Sequence, residues 1–390
     1  MTEEARAIED FFRRRYGREA LYLPSGRAAL YLAFREWLRP GDRVLMSPVN
    51  DDVVFFVVLA AGLVPVLGPV DPRTGNLDAT AIEGSTWTTL RAVLTTNLYG
   101  IPDRMDLLEE RCRRHDLVLL EDAAHAIDSH CDGRRIGQFG VAAAYSLSKH
   151  LGVVGGVLTI AEAGRRQSLA RQAAEEFRHR SLPAAIAHRA RSFLGTVGWL
   201  VRLRNRLAPR PRERAGYRMP HETTAVRQGQ QEGGGFDRFD RWVRVDNHMY
   251  RTWPLRSARR AALRGLEALE ENRRLRLAGA RRLLASGLTP ADLPVPSDTA
   301  LFRVPLFVRN REQVRAHFAK SGLALDYIYD PPLDVYAPAL TERLASPCSA
   351  AHWSRDVLPV DPLLAGRFLE LLGESPGLCQ PSMEAIAYST

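Results

Sequence analysis

From Arg43 to Ile160 the chain repeats one unit, a short apolar run ending in polar residues and followed by a helix. The runs are RVLMSPV (43–49), VPVLGPV (64–70), AVLTTNLYG (92–100), LVLLEDA (117–123) and AAAYSLS (142–148), with GGVLTI (155–160) close behind. Helical spacing fills the gaps at Val53 to Ala61, in a short stretch near 78–83, and at Asp106 to His115. A strand that is apolar along its whole length, rather than at alternate residues, has to be covered on both faces, and the intervening helices supply that cover. The chain is therefore expected to be α/β, with a mostly parallel sheet. Upstream, residues 3–16 and Ala28 to Leu38 read as helices, the second closed by Pro40-Gly41.

Sheets of this kind bind ligands beyond the carboxyl ends of their strands. Ser47, Asn97, Asp122 and Ser146 stand at those ends, and Lys149 lies just past the last of them. The stretch from Leu117 to Gly156 thus carries an acid at the end of one strand and an amine after the next. Lys149 and Lys320 are the only two lysines in the chain, and nearly all the positive charge is arginine. An arginine keeps its proton, whereas a desolvated lysine can lose it and attack a carbonyl. Ser25-Gly26-Arg27 adds a small, polar turn opening a helix, where backbone N–H groups and the helix dipole suit a phosphate. Arg27 opposes the dipole alone and fits it if a dianion sits there. An amine, a buried acid and a phosphate cup are the parts that hold pyridoxal phosphate. Singly, each has a blander reading: a strand-end Asp is often a cap, and a lone Lys a surface charge.

The net charge of +9 would suit a polyanion, but acids are interspersed among the arginines and no nucleic-acid module accompanies them, so no nucleic-acid partner is expected. No apolar run is long enough to span a bilayer, and the charged N-terminus has no signal core, so the expected compartment is cytoplasmic. Cys112, Cys131, Cys348 and Cys379 lack metal-type spacing, and no metal is expected. Residues 165–240 form a basic, helical insertion, expected to pack on the domain or a partner subunit. Peripheral membrane contact through it is the lesser expectation. A long helix is expected to start after Asp246-Asn247 and run past Arg273. A strand at 299–308, a helix at 311–321, strand and loop at 323–333 and a helix at 363–372 follow. The expected division is a large domain over 1–245 and a smaller α+β domain over 246–390.

Several motifs resemble the DegT-type sugar aminotransferases, fold-type I pyridoxal phosphate enzymes. They are SGRAAL (25–30), RPGDRVLMSP (39–48), AGLVPVLGPVDPRTGNLD (61–78), TTNLYGIPDRMD (95–106), VLLEDAAHAIDSHCDGRRIGQFG (118–140) and YSLSKHLGVVGG (145–156). SGLALDYIYDPPL and VLPVDPLL continue the resemblance into the small domain. It implies that Lys149 binds the cofactor aldehyde and carries the proton, and that Asp122 pairs with the pyridine nitrogen. His125 would approach the ring oxygen or the ring face. Ser25, Gly26 and Arg27 would hold the phosphate, helped by Ser146. Asn247 resembles the asparagine that reaches the partner subunit's cofactor, which implies a homodimer with shared sites.

Three positions and one segment depart from the family. Arg27 replaces a threonine, Asp52 stands where an aromatic ring usually stacks on the cofactor, Asp334 ends a motif that commonly reads Pro-Leu-His, and the segment from Ser146 to Lys149 is short. His125 is the candidate to replace the missing ring. The resemblance implies a transaminase with glutamate as amino donor and a keto-sugar, nucleotide-linked or not, or a cyclic ketone as acceptor. Two other readings stay open: a pyridoxal phosphate enzyme of another type, such as a lyase, and a non-catalytic paralogue serving as a binding or regulatory subunit.

Overall fold

The protein is described by a computed structural model covering residues 2–177, 219–243, 250–325, 329–344 and 348–382. Its strands are β1 (Glu19–Leu23), β2 (Arg43–Met46), β3 (Val64–Leu67), β4 (Ala92–Thr95), β5 (Val118–Asp122), the small hairpin β6 (His130–Cys131) and β7 (Arg134–Arg135), β8 (Ala142–Ser146), β9 (Gly156–Ile160), β10 (Val304–Phe307), β11 (Glu342–Arg343) and β12 (Val357–Val360). Eight of them form one sheet in the order β1-β9-β8-β5-β4-β2-β3-β11. From β8 to β11 every pairing is parallel, while β9 runs antiparallel between β1 and β8. The first seven helices are α1 (Glu3–Tyr16), α2 (Gly26–Trp37), α3 (Asp52–Ala60), α4 (Gly84–Trp87), α5 (Met105–Arg114), α6 (Leu147–Leu151) and α7 (Arg166–Glu176).

The apolar strands are sealed on both sides, as their composition requires. On one face Leu94, Leu120, Ala144 and Leu158 pack with α2 and α3. On the other, Val93, Leu119, Ala143 and Val157 pack with α1 and α5. Neighbouring residues of each strand divide between the two layers because side chains alternate across a sheet. Helices Met219–Gln231 and Phe236–Val243, within the basic stretch, add Val226, Phe236, Phe239 and Trp242 to the α3 side of the core. The rest of that stretch, on which the membrane expectation rests, lies outside the described residues.

The C-terminal part departs from its expected elements. The long helix is two helices, Arg256–Glu267 and Leu269–Leu284, parted at Ala268 (φ −85°, ψ 5°). It starts at Arg256 rather than after Asn247, because Pro254 just upstream has no N–H to continue a helical ladder. The described residues of 323–333 contain no strand; Pro331 and Pro332 withhold two donors from any pairing. The partner of β10 is instead β12, antiparallel. β11, also from this part, pairs with β3 and completes the edge of the large sheet. A separate core of Leu283, Val304, Leu306, Val314, Phe318, Leu358 and Phe368 lies around β10 and β12. A fourth cluster joins the two parts: Val49, Leu98 and Tyr99 against Phe307, Tyr329 and Trp353. Among the described residues no helix is long and apolar enough to cross a membrane.

Candidate active site

Asp122 is the last residue of β5 and is 5% exposed. Its Oδ1 accepts a hydrogen bond from the Ala124 amide at 2.9 Å. Burial pushes the carboxyl up to about 7; the Ala124 N–H and the charge of Lys149 pull it down, and Asp51 pushes it further up. The neighbouring strand end is locked to it. Asn97, in the left-handed region at φ 44°, donates from Nδ2 to the Thr95 hydroxyl at 2.8 Å and to the Asp122 carbonyl at 3.2 Å. The buried Asp103 carboxylate accepts the amides of Leu77, Thr96 and Asn97, and so holds that turn in place.

Lys149 is carried by α6, which follows β8 without a break, and its side chain is half-buried. Its charge acts on both Asp122 and His125. His125 is buried, with Nδ1 accepting the Tyr99 amide at 3.3 Å, so the neutral ring carries its hydrogen on Nε2. Burial holds this imidazole well below its ordinary range, and the positive charges of Lys149 and Arg303 add to the effect. The ring stacks on Phe302 at 4.6 Å and 16°.

The third part is the start of α2. Ser25 caps the helix by accepting the Ala28 amide at 3.1 Å and donates to the Tyr250 carbonyl at 2.9 Å. The amides of Gly26 and Arg27 precede the first intrahelical bond, from Ala29 to the Ser25 carbonyl. Two glycines let this turn sit against the strand ends. A Cβ on Gly156 would come within 2.3 Å of the Ser25 carbonyl carbon, and one on Gly26 within 3.1 Å of Ser146 Cβ. The Ser146 and Ser148 hydroxyls, 3.0 Å apart, close the same corner.

These residues fit pyridoxal phosphate on the chemistry of the donor set. A deeply buried carboxyl with a single amide donor suits a protonated ring nitrogen, a lysine stands within its field, and a helix N-terminus backed by glycines and hydroxyls suits a phosphate. The structure thus brings Asp122, His125 and Lys149 together, and Ser25, Gly26 and Ser146 at the adjacent corner. Arg27 is in the first turn of α2. Its Nη1 donates to the Val243 carbonyl at 2.8 Å, and the guanidinium lies 5.3 Å from the Tyr250 ring. The backbone amide of Arg27 lies in the first turn of the helix, ahead of the first intrahelical bond. Asn247 lies outside the described residues. The Ser47 hydroxyl, expected in the crevice, is buried and donates to the Gly75 carbonyl.

Sequence reasoning singled out Asp52 in the loop after β2. The acid whose charge reaches Asp122 and His125 is its neighbour Asp51, which caps α3 by accepting the Val53 amide at 3.1 Å. His150 and Phe302 also went unread; a histidine directly after the only lysine of the sheet region was the available signal for the first. Asp334 is buried at the start of a short helix, and the preceding Leu333 amide donates to the Pro48 carbonyl at the foot of the Asp51 loop.

The model of the DegT/DnrJ/EryC1/StrS aminotransferase family matches residues 2–165. Over 141 residues the chain is 38% identical to a dTDP-3-amino-3,4,6-trideoxy-alpha-D-glucose transaminase of Streptomyces venezuelae, covering 35% of this chain and 37% of that one. It is 35% identical over 130 residues to a GDP-perosamine synthase of Caulobacter vibrioides, covering 33% and 35%. These alignments span about a third of the relatives' length. The fold match is broader: a crystal structure of S. venezuelae DesV in complex with a ketimine intermediate superposes with TM-score 0.62 at 25% identity, over 96% of this chain and 89% of that one.

Proposed function

We propose that the chain, whose residues 2–165 match the DegT/DnrJ/EryC1/StrS aminotransferase family model, is a pyridoxal phosphate-dependent transaminase acting in sugar or cyclitol biosynthesis. The amino donor is glutamate. The acceptor is a keto-sugar, nucleotide-linked, or a related cyclic ketone. The functional unit is a homodimer with shared sites, dividing each chain into a large domain over 1–245 and a small one over 246–390. The observation that supports this best is the placement of Lys149, whose charge acts at once on the buried Asp122 and on His125.

Bound pyridoxal phosphate supplies a carbonyl that captures amines and a ring that accepts the electron pair left when a Cα proton departs. The chain does the rest. Lys149 would hold the cofactor through Nζ, and the same amine, when free, would take up and release a proton. Asp122 keeps a proton at the ring nitrogen, and a cation there would draw its carboxyl down from its raised value. The α2 amides of Gly26 and Arg27, with Ser146 and with Ser25 once its O–H turns from the Tyr250 carbonyl, anchor the phosphate. His125 offers a neutral Nε2–H, and its low affinity for a second proton keeps it a donor without making it a cation.

The test is direct. Borohydride treatment of the chain loaded with pyridoxal phosphate should fix one equivalent on Lys149, located by peptide mapping. In a separate, unreduced sample, glutamate should replace the aldehyde-form absorbance by that of the amine form. No such change with any amino donor would end the transaminase reading. A second reading, a pyridoxal phosphate enzyme of another type, is favoured by Asp51, a carboxylate acting on Asp122 where the family resemblance places an aromatic ring nearby. Release of a keto acid without transfer of its nitrogen would select it.

A further inference from the structure

The residue after Lys149 is a histidine, and it is buried. His150 Nε2 lies 3.0 Å from the carbonyl oxygen of His125. A carbonyl only accepts, so the hydrogen is on Nε2 and the ring donates. Burial pushes this imidazole down to about 3, and the nearby Arg276 and Arg303 add to it, so the neutral donor persists at any working pH.

The hydrogen bond joins the two segments that the chemistry must keep in register. His150 belongs to α6, a helix of five residues that ends at Gly152 in the left-handed region. So short a helix has little internal stability and takes its position from its contacts. On one side Leu151 packs against Gly265 of helix Arg256–Glu267. On the other, His150 is fastened to the loop that leaves Asp122.

A ring from the C-terminal part closes this joint. Phe302 stacks on His125 and meets His150 at 5.5 Å and 51°. The guanidinium of Arg303 lies 4.0 Å from the centre of the Phe302 ring. Arg303 and Arg276 both pair with Asp361, at 2.7 and 3.1 Å. The amides of Phe302 and Arg303 donate to the Tyr99 carbonyl at 2.8 and 3.2 Å, while the Tyr99 amide donates to His125 Nδ1. The contacts therefore form a closed circuit, from His150 through His125 and Tyr99 to Phe302 and back.

Resting on the reading of Lys149 as the cofactor-binding amine, we propose that His150 is a positioning residue. Its hydrogen bond to the His125 carbonyl sets where Lys149 stands relative to Asp122, and Phe302 holds that joint shut from the C-terminal part of the chain. His150 touches no reacting atom in this scheme and acts through its neighbour.

The chain supplies its own control, because the only other lysine, Lys320, is exposed and lies on a different helix. Brief acetylation of the cofactor-free protein with acetic anhydride, read by mass spectrometry, gives the reactivity of Lys149 relative to Lys320. His150→Leu should change that ratio at least about 5-fold and weaken pyridoxal phosphate binding about 10-fold, as loss of one buried hydrogen bond and the register it holds would. His150→Gln, which keeps an N–H donor of similar reach, should stay within about 2-fold of wild type on both readouts, while Phe302→Leu should fall between. If His150→Leu does not fold, His150→Asn, too short to reach the carbonyl, takes its place with the same expectation. A Leu or Asn variant with the wild-type ratio, or a Gln variant as impaired as Leu, overturns the assignment. Failure of the wild type to fix pyridoxal phosphate on Lys149 would instead remove the functional reading, and the acetylation ratio would still decide what His150 does.

Discussion

Glu121 and Asp122 are adjacent carboxylates at the end of one strand, both buried, yet their surroundings differ completely. Glu121 accepts three backbone amides, from Gly137 at 2.6 Å, Phe139 at 2.9 Å and Gly140 at 2.6 Å, and so binds the loop beneath the sheet. Asp122 points to the other side and accepts one, from Ala124. Burial pushes both carboxyls up, but only Glu121 has a full set of donors working against that push. A fully satisfied buried acid is a fastener. A buried acid with capacity left over is prepared for something that arrives later.

The largest effects should fall on the crevice side. Lys149→Ala should abolish borohydride fixation of pyridoxal phosphate and lower kcat/KM by at least about 10³-fold, with the unfolding midpoint unchanged. Next, Asp122→Asn and Glu121→Gln should separate the two acids. Asp122→Asn should cost about 10²-fold or more in kcat while leaving the fold intact. Glu121→Gln turns an N–H₂ toward amides that need an acceptor and should cost about 2–4 kcal/mol of stability, with kcat of the folded fraction within about 3-fold. If Glu121→Gln instead loses the cofactor at undiminished stability, the division between fastener and waiting acid is wrong.

The pH dependence sharpens the contrast. The folded carboxyl of Asp122 is raised from 3.8 to about 7, so the native state holds a proton that the unfolded chain releases. Its contribution to the cofactor-free protein is therefore complete below about pH 4 and is lost as pH rises through about 7. Asp122→Asn removes that loss. In urea unfolding at pH 8 the variant should exceed wild type by up to about 4 kcal/mol, and the gap should close by about pH 4. A gap that is the same at both ends would place the ionisation elsewhere.

The two acids also show what a sequence discloses. EDA at the end of an apolar run marks a strand end, and alternation already implies that the two carboxylates face opposite ways. It does not say which one finds three amides, because the loop at Gly137 to Gly140 reaches Glu121 only through the tertiary fold. The strand and helix alternation from Arg43 to Ile160 was legible because wholly apolar runs have few other uses. The C-terminal part was less so: VPLF and VLPV each carry a proline yet pair with one another, a match set by partner rather than by either segment. Arg27 shows the same limit: helix Phe236–Val243, distant in sequence, brings a carbonyl to its guanidinium, a contact that no local pattern discloses. Asp51 differs from Asp52 by one position at a helix cap, and matching a family motif does not resolve boundaries that finely.

Ser25 is where the contrast between fastener and binding group should blur, since its hydroxyl is both the cap of α2 and part of the phosphate corner. Two substitutions separate these roles. Ser25→Ala should cost about 1 kcal/mol of stability, whereas Ser25→Gly, a tolerable cap, should cost only a few tenths. Both remove the same hydroxyl from the corner. If that hydroxyl contributes to anchoring, pyridoxal phosphate should bind both variants equally weakly, about 5- to 10-fold below wild type, as expected for one lost hydrogen bond. Affinity that instead follows stability, with Gly near wild type and Ala impaired, would mean that Ser25 serves the cofactor only by holding the helix whose amides do the binding.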